Sequence, residues 1–96
     1  DDKQLELLVG IGLNYRKLEQ WEKAIECLEQ ALAIAKYIEH RKEEIQIRVD
    51  LAEIFFKIEK RDLAISQIEE AEMDLKNIKA AWSTSLMRRI ESLRNF

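Results

Sequence analysis

The chain has 96 residues, of which 47% are apolar and 36% charged, and its net charge is −3. That length allows one domain with a modest core. A single cysteine, Cys27, excludes an internal disulfide framework, and no run of about 18 apolar residues is present to cross a membrane. Proline is absent and the only glycines are Gly10 and Gly12, so no Pro-rich or Gly-rich linker divides the chain. The balance of apolar and charged residues is that of an amphipathic helical protein. Cys27 lies between apolar Ile25 and Leu28, which reads as a half-buried thiol in a reducing, cytoplasmic setting. The chain starts Asp1-Asp2-Lys3 without Met, and the expectation is a piece of a longer protein.

The first helix is predicted from about Lys3 to Leu18, with Asp1 or Asp2 as N-cap. Its apolar residues at 5, 8, 11, 15 and 18 form one stripe. Glu19-Gln20 reads as a tight turn. A second helix runs from Trp21 to about Ile38, with positions 21, 24, 25, 28, 31, 32 and 35 on one apolar face. Glu39-His40-Arg41 is the expected break. The third helix, about Lys42 to Ile58, is apolar at 45, 47, 49, 51, 52, 54, 55, 56 and 58. Such a helix is apolar on more than one side and is predicted to be enclosed by neighbours. Glu59-Lys60-Arg61 is the next turn, and Asp62 stands near the start of a fourth helix whose face carries 64, 68, 71, 75 and 78. The last helix starts somewhere in 79–85 and runs to about Asn95, with Trp82, Leu86, Ile90 and Leu93 on one side. Ser83 and Ser85 are its candidate N-caps.

Two segments share one pattern. Ile11, Gly12, Tyr15, Ala24, Leu28 and Ala31 are matched by Leu51, Ala52, Phe55, Ala64, Ile68 and Ala71, each pair 40 residues apart. Two-helix repeats of this kind cannot bury their faces alone and are built to stack. The spaced set, with Leu8 and Trp21 and the string Tyr15-Arg16-Lys17-Leu18-Glu19-Gln20-Trp21, resembles the tetratricopeptide repeat. The resemblance covers roughly residues 5–76. The family spacing is about 34 residues; here the added residues fall between Ala35 and Ile47. Longer spacings are similar to those of the subclass found in peptide-sensing bacterial regulators and in eukaryotic adaptor and motor light chains. Arg48 stands where the first copy has Leu8, and Lys36 and Lys76 stand where the family often has proline.

The resemblance implies an all-α, α-α superhelix: two tetratricopeptide-like hairpins, about 5–40 and 41–78, and a closing helix at about 79–96, in a single domain. It also implies protein or peptide binding on a concave face lined by the first helix of each repeat. By position, that face is Glu6, Val9, Gly10, Leu13 and Lys17, then Gln46, Val49, Asp50, Glu53 and Lys57. The family's arrangement for holding a C-terminal carboxylate uses Lys and Asn at groove positions where Val9, Leu13 and Asp50 stand here, so that mode is not expected. The alternative is a ligand-sensing or self-associating (homodimerising) module of a larger regulatory protein.

No catalytic constellation is present. His40 is the only histidine, and it lies 13 residues beyond Cys27, roughly 20 Å along a straight helix. One Cys and one His are too few for a metal site, and Gly10-Ile11-Gly12 lacks the strand and Lys-Ser/Thr of a phosphate loop. The reading is therefore a binding module: no enzyme, no cofactor, no metal and no membrane. Charge is uneven. Residues 1–75 carry −7, whereas residues 76–96 carry +4 from Lys76, Lys79, Arg88, Arg89 and Arg94 against Glu91. Scattered charges without interleaved aromatics are a poor nucleic-acid signal, and nucleic acid is not expected as a partner.

Overall fold

The computed structural model describes residues 2–78 and 80–95. Asp1, one of the two expected N-caps, and Lys79 of the basic segment lie outside the described residues. Among those described there are five α-helices and no strand: α1 (Asp2–Lys17), α2 (Trp21–Tyr37), α3 (Arg41–Lys57), α4 (Arg61–Leu75) and α5 (Ala81–Arg94). The fold is all-α, with paired helices in tetratricopeptide-like hairpins and a trailing helix. The chain divides into two compact units, Asp1–Ile47 and Arg48–Phe96, with the boundary inside α3.

The first three connections are built alike. Glu19, Glu39 and Glu59 each take a left-handed backbone, with φ of 59°, 58° and 62°. The Glu19 N–H donates to the Arg16 carbonyl at 3.0 Å, and the Gln20 N–H reaches back to the Tyr15 carbonyl at 2.9 Å. Glu39 and His40 repeat this pair of bonds onto Lys36 and Ala35, and Glu59 and Lys60 onto Phe56 and Phe55. This is the Schellman ending of a helix, with Glu where Gly is usual. It satisfies carbonyls at the helix end and lets the next helix begin two residues after each Glu. Trp21, Arg41 and Arg61 therefore start helices 20 residues apart. The residues that lengthen the repeat prolong the end of α2 and the beginning of α3.

In the first unit α1 packs against α2. Leu5 and Gly12 are the buried residues of α1; Ala24, Leu28, Ala31, Leu32 and Ala35 are those of α2. At Gly12 the two helices are in close contact: a Cβ there would stand 3.0 Å from Leu28 Cγ and 3.3 Å from Cys27 Cβ. A glycine inside a helix costs about 1 kcal/mol relative to alanine, and here it admits Leu28. His40, the residue before α3, accepts a 3.4 Å hydrogen bond on Nδ1 from the Glu43 N–H, an N-capping geometry.

In the second unit α5 packs against α4. Buried residues follow helical spacing in both: Ala64, Ile68, Ala71 and Leu75 on α4, and Leu86, Ile90 and Leu93 on α5. α4 ends at Leu75, so Ile78 lies beyond the helix on whose face it was expected. Neither Ser83 nor Ser85 caps α5. Ala80 does, in extended conformation, and Ser83 Oγ donates back to the Ala80 carbonyl at 2.6 Å from inside the first turn. α3 is buried on more than one side, as its composition predicts. Ile45, Val49 and Ala52 form one fully buried stripe; Ile47, Leu51 and Ile54 form another.

Candidate functional site

The expected binding residues fall on α1, in the first unit, and on α3, which the unit boundary crosses; each helix is described by itself. On α1, Glu6, Gly10 and Lys17 are exposed, and Val9 and Leu13 are half-buried. Their spacing keeps them on one face, about 100° round the helix from the Leu5–Gly12 stripe that packs inward. Gly10 is open: a Cβ there would meet nothing within 4 Å. The surface is therefore apolar at its centre, with a bare stretch of helix backbone and one charge of each sign at its rim.

The α3 residues are placed differently. Gln46 is half-buried and Lys57 exposed. Val49 is wholly buried, and Asp50 is 8% exposed. Asp50 and Glu53 both accept hydrogen bonds from Arg89 Nη2 on α5, at 2.8 Å and 2.6 Å. One guanidinium thus bridges two carboxylates. Burial lowers the Arg89 pKa, but the hydrogen bonds and charges of Asp50 and Glu53 raise it, and the net direction is upward. The guanidinium stays charged at any ordinary pH. Sequence reasoning placed Asp50 and Glu53 on a surface but did not see Arg89 as their partner, because it lies 39 and 36 positions from them.

A second polar contact was also missed. Arg48 is 8% exposed, and its Nη1 donates to Gln67 Oε1 on α4 at 2.9 Å. The 40-residue equivalents of Arg48 and Gln67 are Leu8 and Cys27. Both members of the pair change together, and that concerted change was the available signal. The basic C-terminal segment is likewise partly paired within the chain, since Arg94 pairs with Glu72 as Arg89 pairs with Asp50 and Glu53.

Among the described residues, no group of three or more His, Cys, Asp or Glu could hold a metal ion. No described helix is long and apolar enough to cross a membrane.

A model of the tetratricopeptide repeat matches residues 3–73. The chain belongs to the tetratricopeptide-repeat family. Searches of curated proteins and of solved structures gave no significant match. Tetratricopeptide repeats are non-catalytic scaffolds for protein–protein interaction, and the helical hairpins of this chain are of that kind.

Proposed function

We propose that this tetratricopeptide-repeat chain binds a segment of a partner protein on the α1 face that carries Val9, Gly10 and Leu13, rimmed by Glu6 and Lys17. The observation that carries the reading is the open backbone at Gly10 beside two half-buried apolar side chains. A partner can approach the helix axis there more closely than at any residue with a Cβ. Apolar contact would supply affinity, and the rim charges orientation. On α3 the proposed partner-binding residues are Gln46, Val49, Asp50, Glu53 and Lys57. There Arg89 offsets the two acids, and buried Val49 would act by supporting its neighbours. The partner segment this chemistry suits is amphipathic. We place the module in the long-repeat subclass, with repeats at about 5–40 and 41–78 and a closing helix at about 79–96, acting in the cytoplasm.

The test is Leu13→Glu. It should weaken capture of the partner in a pull-down more than tenfold, at about 1.4 kcal/mol per decade, and shift the thermal melt little. A collapsed melt with binding retained would make Leu13 a core residue and sink the reading.

A further inference from the structure

α1 has a second exposed face. Leu7, Ile11 and Leu18 are 63%, 37% and 66% exposed. Together with exposed Asn14 they follow a 4-3-4 spacing, which places them on one stripe of the helix and its final turn. This stripe lies well round the helix from Val9 and Leu13. The other large apolar residues exposed on described helices are single: Tyr37 on α2, Leu63 and Met73 on separate sides of α4, and Met87 on α5. The exposed part of α5 is otherwise mostly polar, with Thr84, Ser85, Arg88, Glu91 and Ser92. Among the exposed large apolar residues of the described helices, those of the α1 stripe are the ones that line up, and a second copy offers the same stripe.

We propose that this face is the interface of a homodimer in which α1 pairs antiparallel with α1 of a second copy. The 4-3-4 spacing is a palindrome, so a two-fold axis at its midpoint sets Leu7 against Leu18 of the other copy and Ile11 against its Asn14. The same axis brings exposed Glu6 within a turn of the second copy's exposed Lys17, twice, along one edge of the stripe. A parallel pairing would set that edge against Gln4 and Tyr15 and form neither ion pair. Because the contact is isologous, it closes at two molecules and builds no filament. It is confined to one helix about 24 Å long, well short of the roughly 800 Å² per partner of a standard interface. Association is therefore weak, and high protein concentrations are needed to see it.

Sedimentation equilibrium from about 10 µM to 1 mM, a range set by the small interface, should show the mass rising from 11.4 kDa toward a dimer. Ile11→Lys should weaken the dimer at least about tenfold with its melt unchanged; if that melt falls, Leu18→Lys in the last exposed turn carries the same test. Glu6→Lys should weaken association, and adding Lys17→Glu should restore it. A chain that stays monomeric throughout, grows beyond two copies, or is indifferent to Ile11→Lys and Leu18→Lys overturns the proposal. So does a dimer that Glu6→Lys leaves unchanged, since that is the parallel arrangement. The two faces share Glu6 and Lys17 at their common edge, but Leu13 belongs to the other face alone: Leu13→Glu should leave the dimer intact.

Discussion

α1 and α3 hold the same place in the 40-residue pattern, yet they sit in different surroundings. Each has two apolar stripes. Leu5, Val9 and Gly12 are matched by Ile45, Val49 and Ala52; Leu7, Ile11 and Leu18 are matched by Ile47, Leu51 and Ile58. In α3 the first set is wholly buried, as are Ile47 and Leu51, while Ile58 is half-buried. In α1 the second set is exposed, and Val9 is only half-buried. The polar positions diverge as well: Gly10 and Leu13 in α1 become Asp50 and Glu53 in α3, where Arg89 holds both. Helical periodicity thus fixes which side chains share a face, but burial depends on what covers that face. A repeat can keep its spacing and change the chemistry of its surface.

The sharpest way to break the comparison is at Gly12, where α3 has Ala52. A Cβ at Gly12 already lies 3.0 Å from Leu28 Cγ, so Gly12→Leu should overpack the α1–α2 contact and cost about 1–3 kcal/mol. Urea melts measure this. An unchanged midpoint would mean that the two helices are not held together at Gly12.

The next largest effect is expected at Arg48 and Gln67. Gln67→Leu removes one acceptor of a buried guanidinium and should cost about 1–2 kcal/mol. Arg48→Leu with Gln67→Leu makes the site apolar, like Leu8 and Cys27, and should recover at least half of that loss. Recovery would show that the polar pair substitutes for an apolar one of similar worth, the behaviour known for buried polar pairs. If the two losses simply add, Arg48 and Gln67 are not coupled.

The helices were legible in the sequence because apolar spacing and charged turns point the same way. Every expected helix is present within a few residues of its predicted ends. The ends moved where the turn chemistry was unusual. Glu19, Glu39 and Glu59 occupy left-handed positions that glycine normally marks, so the 20-residue rhythm of the turns was hidden beneath the 40-residue rhythm of the side chains. α5 starts without a side-chain cap from Ser, Thr, Asp or Asn, so its start was the least defined boundary. The proposed α1 face could be drawn from helical geometry alone, since nothing at Gly10 competes for it. On α3 the face could be drawn but not its state, because the ion pairs to Arg89 depend on tertiary folding that local spacing does not encode.

The smallest expected effect separates stability from function at Gly10. Nothing would stand within 4 Å of a Cβ there, and the residue lies in the middle of α1, not at a turn. Gly10→Ala therefore adds a methyl in open space and restricts the unfolded chain, a change that should raise stability by about 0.5–1 kcal/mol. At Gly12, two residues on, a methyl would stand 3.0 Å from Leu28 Cγ, so the same gain is offset by what the Leu28 side chain must yield. If a partner lies against the bare helix at Gly10, that same methyl must push it away. The variant should then melt higher and bind the partner more weakly. A variant that melts higher and binds equally well would leave Gly10 with no part in recognition, and the proposed α1 face would lose the observation on which it chiefly rests.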